Sequence, residues 1–152
     1  KTVVTLDDLI HTVIDYISWE LRDNKIEVVF ANGSHECEIP VNKIQIEQVL
    51  INLIRNSIEA IRMADISDGR VEIATRRTAE GSIEVTVTDN GPGIDPEMAG
   101  SLFDPYQTSK EAGMGMGLSI SRSIIEAHDG KLWADTQRQQ GALFRMDIPG
   151  CH

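Results

Sequence analysis

Residues 70–89 constrain the fold most, because they read as two strands that meet at a tight turn instead of across a helix. Asp68-Gly69 and Glu80-Gly81 bracket a strand over residues 70–76, and the next strand spans residues 82–89. In the second strand Ile83, Val85 and Val87 alternate with Glu84, Thr86 and Thr88, so one face is apolar and the other wet. A helical pattern precedes this pair. Asn42, with Gln45 three residues on, signals a helix start, and Ile46, Val49, Leu50, Leu53, Ile58 and Ile61 line one side of a helix running to about Met63. Strands joined by tight glycine turns, alongside segregated helices, predict an α+β fold: a two-layer α/β sandwich with a mixed sheet and its helices on one face.

The rest of the chain fits that plan. The spacing Thr5-x-x-Asp8 resembles a capping box and opens a helix through Leu9, Ile10, Val13, Ile14 and Ile17. Short strands are expected at residues 25–30 and 36–39, with Pro40 ending the second. Residues 90–114 are loop-like, with Asp95-Pro96 capping one short helix at most. A last helix spans residues 117–128 and stops at Asp129-Gly130, before strands at 131–135 and 143–148. With no internal repeat and no low-complexity linker, all 152 residues read as one domain.

Charge and cysteine content narrow the function. A net charge of −10 argues against nonspecific binding of nucleic acid or anionic membranes, both of which want excess Lys and Arg. No run approaches the ~20 apolar residues of a membrane span. The start resembles no signal peptide, and Lys1 in place of an initiator Met points to a piece of a larger protein. Cys37 and Cys151 lack Cys-x-x-Cys spacing and read as free thiols of a reducing compartment.

Three segments carry chemistry. On the middle helix Gln45, Gln48, Asn52, Arg55, Asn56, Glu59 and Arg62 form one polar stripe. A stripe is ordinarily a solvated face, but Asn is a poor helix former, and a merely wet face would sooner carry Glu, Lys or Gln. Two asparagines a turn apart can aim amide oxygens the same way, which suits a hard cation and phosphate oxygens. The second segment is the strand ending at Asp89. Period two puts this carboxylate on the apolar face, where it is costly without a donor. The exocyclic amine of adenine is one donor; the alternative is that Asp89 caps the Asn90-Gly91 turn. Gly91 and Gly93 let backbone pass close beneath a ring. The third is Gly113-Met114-Gly115-Met116-Gly117-Leu118, alternate glycines leading into a helix N-terminus, where phosphate is the natural guest. It is neither a P-loop nor a dinucleotide fingerprint.

Their order resembles the catalytic and ATP-binding domain of bacterial sensor histidine kinases, within the wider ATPase group (Bergerat fold) that includes DNA gyrase. The segment from Gln48 through Asn52 and Asn56 to Ala60 is similar to that family's N box. Asp89-Asn-Gly-Pro-Gly-Ile94 is similar to its first glycine box, Phe103-Asp-Pro-Tyr106 to its F box, and residues 113–118 to its second glycine box. The run from Met116 to His128 is especially similar to the nitrogen-fixation oxygen-sensor branch.

The resemblance implies a protein-histidine kinase of two-component signalling, using ATP and Mg²⁺. Asn56 would coordinate the Mg²⁺ and Asn52 would sit beside the triphosphate. Asp89 would bind adenine over a floor of Gly91 and Gly93. Gly113, Gly115 and Gly117, with Leu118, would line the phosphates. The ATP lid would span about residues 94–114, with Lys110 reaching the terminal phosphate and Phe103 and Tyr106 packing the lid on the body; ordinary solvation of Lys110 and core packing of Phe103 are the plain alternatives. ATP-hydrolysing relatives carry Glu where Asn52 stands, and an amide cannot take a proton from water at neutral pH. The nucleophile would therefore be a histidine on a separate dimerisation domain. None of His11, His35, His128 or His152 has the expected surroundings of such an acceptor. His11 reads as an ordinary helix histidine, and His128 as a helix-terminal ring, partly cationic in the helix dipole. The implied partners are that histidine domain, a response-regulator receiver domain and a second copy in a full-length homodimer. The implied location is cytoplasmic, either free or as the inner part of a membrane-bound sensor. A nonenzymatic nucleotide sensor and a protein-serine kinase of the same superfamily are the competing readings.

Overall fold

The computed structural model describes residues 1–33, 37–95, 97, 102–104, 117–135 and 141–151. Seven strands and three long helices follow the order β1 (Thr2–Thr5), α1 (Leu6–Asp23), β2 (Glu27–Gly33), β3 (Glu38–Val41), α2 (Lys43–Met63), β4 (Arg70–Arg77), β5 (Ser82–Asp89), α3 (Gly117–Ala127), β6 (Lys131–Asp135) and β7 (Leu143–Pro149). Five strands form one sheet in the order β2-β4-β5-β7-β6, and β1 pairs with β3 separately. Only β2-β4 is parallel within the larger sheet, which makes it mixed as expected.

The sheet is amphipathic in register. Val71 and Ile73 of β4, Val85 and Val87 of β5, and Phe144 and Met146 of β7 are buried in one core with Leu9, Ile10, Val13 and Ile17 of α1 and Ile46, Leu50, Leu53 and Ile61 of α2. Each fully buried aliphatic side chain of this kind contributes about 1.5–3 kcal/mol. The other sheet face is charged. Arg145 reaches Glu84 at 3.1 Å and Asp135 at 3.4 Å, and Arg76 reaches Glu84 at 3.5 Å. All three helices therefore share the apolar side, giving the expected two layers.

Local signals are partly realised. Asn42 caps α2, its Oδ1 accepting from the Gln45 N–H at 3.1 Å. Thr5 precedes α1 in extended backbone but makes no side-chain cap bond, so the capping-box reading places the helix without supplying its bond. Strand β1 has no counterpart in the sequence reading. Pro40, expected to end the sheet, lies inside β3 opposite Val3. A two-stranded sheet has an edge on every strand, where a missing N–H costs nothing.

The cysteine reading is corrected. Cys37 and Cys151 are joined by a disulfide, with Cα atoms 5.8 Å apart. It ties the segment entering β3 to the chain just after β7, a pairing that separation along the sequence could not reveal. The cysteines therefore give no argument for a reducing compartment.

Candidate nucleotide site

One face of α2 organises the site. Asn52, Asn56 and Ala60 recur every four residues and so stack along one side of the helix. At the Ala60 end lies the turn after β5: a Cβ on Gly91 would sit 3.6 Å from Ala60 Cβ. At the Asn52 end lies the start of α3: a Cβ on Gly117 would sit 3.7 Å from the Asn52 side-chain carbon. The eight residue steps from Asn52 to Ala60 span about 12 Å of helix. That is comparable to the reach of a nucleoside triphosphate from its base to its phosphates.

At the first end, Asp89 is 4% exposed on the core side of β5, as the alternation requires. Its Oδ1 accepts from the Gly91 N–H at 2.9 Å and from the Ala142 N–H at 3.1 Å. Two amide donors offset the cost of a buried carboxylate. Both bonds land on Oδ1, leaving Oδ2 without a bond among the described residues. Turn capping thus uses one oxygen of the side chain and, among the described residues, not the other. Asn90 ties the turn to the start of β4: its Oδ1 accepts from the Arg70 N–H at 2.7 Å and its Nδ2 donates to Asp68 O at 2.8 Å.

Glycine is required around this acid. Gly93 has φ +92° and Gly141 φ +73°, values that L side chains rarely adopt. A Cβ on Gly93 would lie 3.0 Å from Gly141 O, and one on Gly141 would run into Asp89 O. A Cβ on Gly91 would lie 3.0 Å from Asp89 Oδ1 itself.

At the second end, Asn56 is 4% exposed, so the polar stripe is not simply a wet face. Arg55, its neighbour in that stripe, serves α1 instead. Its guanidinium forks onto Glu20 at 2.6–3.2 Å, and that hydrogen bonding holds it more firmly protonated than usual. Asn52 donates through Nδ2 to Ser121 Oγ at 3.2 Å and to Gly117 O at 3.5 Å. Gly117 opens α3, whose first N–H groups carry the positive end of the helix dipole. Leu118 is a buried core residue of the same turn.

Among the described residues no group of three or more His, Cys, Asp or Glu is arranged to hold a metal ion. The residues that would hold a metal are Asn52 and Asn56, whose side chains carry amide oxygens. They suit Mg²⁺, which takes one or two protein groups and completes its shell with water and substrate phosphates. Lys110, Gly113, Gly115, Tyr106 and almost all of the lid fall outside the described residues. Of the lid, Asp95 Oδ1 accepts from the Glu97 N–H at 3.0 Å. The Phe103 ring meets Phe144 edge-on at 6.4 Å and faces the Arg122 guanidinium at 5.1 Å.

Three participants escaped sequence reasoning. Gly141 and the Ala142 N–H reach Asp89 only because β7 pairs with β5, and Ser121 reads as one more helix serine until α2 and α3 are seen packed together. The His128 expectation is corrected too. Its Nδ1 lies 2.8 Å from Ile124 O, so it carries the proton, and Nε2 accepts from the Asn42 N–H at 3.0 Å. Both roles are those of a neutral ring, buried and pinned to the α2 cap.

Residues 41–151 match the family described as histidine kinase-, DNA gyrase B-, and HSP90-like ATPase. The sensor protein FixL of Bradyrhizobium diazoefficiens is 39% identical over 128 residues, covering 84% of this chain and 25% of FixL. The catalytic domain of histidine kinase ThkA, in a nucleotide-free form, is 31% identical with a TM-score of 0.84, covering 98% of this chain and 96% of that one. ThkA in complex with the response regulator protein TrrA is similar at 31% identity and a TM-score of 0.82, covering 98% of this chain and 41% of that one. The chain thus spans about a quarter of the length of FixL.

Proposed function

The chain belongs to the histidine kinase-, DNA gyrase B-, and HSP90-like ATPases, as an ATP-binding catalytic domain of the sensor histidine kinases, and on that premise we propose that it holds Mg-ATP and delivers its γ-phosphoryl to a histidine on a separate dimerisation domain. The observation that carries this reading is the α2 face, with a buried acid at one end and an amide beside a helix N-terminus at the other. Asp89 Oδ2 accepts from the purine amine, which selects adenine over a guanine carbonyl. Gly91 and Gly93 form the floor beneath the ring. Asn56 supplies an amide oxygen to Mg²⁺, which when bound neutralises phosphate oxygens. Gly117 and the glycines before it, Gly113 and Gly115, offer backbone N–H groups to the phosphates, and Lys110 meets the terminal one.

Asn52 has no proton-accepting power at neutral pH, so this site positions ATP without activating water. An imidazole nitrogen of the acceptor attacks the γ-phosphorus, the bond to the bridging oxygen breaks, and ADP leaves. Catalysis then rests on positioning and charge neutralisation. The acceptor domain, a response-regulator receiver domain and a homodimeric full-length protein complete the proposed system. We place it in the cytoplasm, free or as part of a membrane-bound sensor; among the described residues no helix is long and apolar enough to cross a membrane. A net charge of −10 argues against nucleic acid as a partner.

The test is transfer from γ-labelled ATP to an added histidine-containing helical domain. An acid-labile, alkali-stable product is expected, with none when the acceptor is omitted. An acid-stable product would instead identify a serine kinase, and nucleotide binding with no transfer would identify a sensor module.

A further inference from the structure

We propose that Ser121 is a positioning residue that orients the Asn52 amide, turning Asn52 Oδ1 toward the metal–phosphate end of the site. The inference rests on the Mg-ATP reading above. Ser121 is completely buried, at 0% exposure, on the face of α3 that packs against α2. A buried hydroxyl costs free energy that alanine would avoid, and alanine is also the better helix former. Its one bond among the described residues explains its presence: Oγ lies 3.2 Å from Asn52 Nδ2.

The second partner of that Nδ2 removes the ambiguity of an amide, whose oxygen and nitrogen are nearly isosteric. Gly117 O, at 3.5 Å, can only accept, so the NH₂ group faces α3 and the carbonyl oxygen faces elsewhere. An amide oxygen beside a triphosphate is repelled by phosphate and attracted only through a cation or its bound water. Ser121 adds a second and closer acceptor to Gly117 O and so holds the Nδ2 end of Asn52 on α3, as outer-shell partners hold the aim of metal ligands generally. Without it, Nδ2 keeps only the longer contact with Gly117 O, and Asn52 turns more readily to present its NH₂ to Mg²⁺.

The 152-residue chain itself serves for the test, with ATP as the probe, titrated at varied Mg²⁺ and again in excess chelator. Ser121→Ala is expected to raise the Mg²⁺ concentration for half-maximal ATP binding about 10-fold. Chelator-resistant ATP binding and the melting temperature should stay near those of the parent. Asn52→Ala should reproduce the Mg²⁺ shift, and Ser121→Ala added to it should change nothing more. A loss for Ser121→Ala that is equal with and without Mg²⁺, or one that adds in full to that of Asn52→Ala, overturns the inference. Should Ser121→Ala fail to fold, Ser121→Cys keeps a weaker acceptor of similar size. It is then expected to shift the Mg²⁺ response in the same direction, and a parental response overturns the inference. If the parent chain binds no ATP under any condition, the Mg-ATP reading falls first.

Discussion

Asp89 shows how one side chain serves fold and ligand together. Its Oδ1 joins the β5 turn to the segment entering β7, while Oδ2 is the oxygen proposed to meet adenine, so substitutions separate the two roles. Asp89→Asn keeps the shape and loses the charge. ATP affinity is expected to drop by about 1–3 kcal/mol, and the preference for ATP over GTP to shrink, in calorimetric titrations. A preserved preference would leave Asp89 with its structural role alone. Asn56→Ala should abolish Mg²⁺-dependent ATP binding with an unchanged circular dichroism spectrum, and undiminished binding would remove Asn56 from the metal site. Gly141→Ala acts on the backbone instead. A Cβ there collides with Asp89 O at a φ of +73°, so loss of both melting temperature and ATP affinity is expected. Asp89, Asn52 and Asn56 were legible in the sequence because period and residue type alone made them anomalous. Gly141 and Ser121 were not, since a glycine before a strand and a serine in a helix are unremarkable until a distant element lies against them.

At the scale of elements, helices and strands with a strong period announced themselves. Helix α2 runs from its Asn42 cap to Met63, and β4 and β5 occupy the expected stretches. The weak points were short and edge-like. β1 has four residues and no alternation long enough to read, and β3 passes through a proline that only an edge tolerates. His128 joins two elements, since the end of α3 accepts from the first backbone N–H of the α2 cap. His128→Ala removes the acceptor of the part-buried Asn42 N–H, and a cost of about 0.5–1.5 kcal/mol is expected in urea unfolding. His128→Gln, which can restore an acceptor, should recover part of it. Equal stability for the parent and the alanine variant would show that water replaces the ring.

For the whole molecule, the disulfide closes a separation of 114 residues, from the entry of β3 to the last strand. Cross-links over long loops restrict the unfolded chain most, so reduction is expected to lower unfolding stability by about 2–5 kcal/mol. The check is a urea midpoint measured with and without reductant, alongside a thiol count on denatured protein. Identical midpoints and two free thiols would return both cysteines to the unlinked state.

Sequence alone settled the class of each long element and the mixed sheet with helices on one face, and it named the candidate residues for the site. Those properties follow from local periodicity and from the chemistry of single side chains. Tertiary structure alone decided that β7 lies beside β5 and gives Asp89 its second donor, that α3 meets α2 through Ser121 and His128, and that Cys37 finds Cys151. Each of these is a contact between segments far apart in the chain. Such contacts are set by global packing of the shared core, which no local pattern encodes.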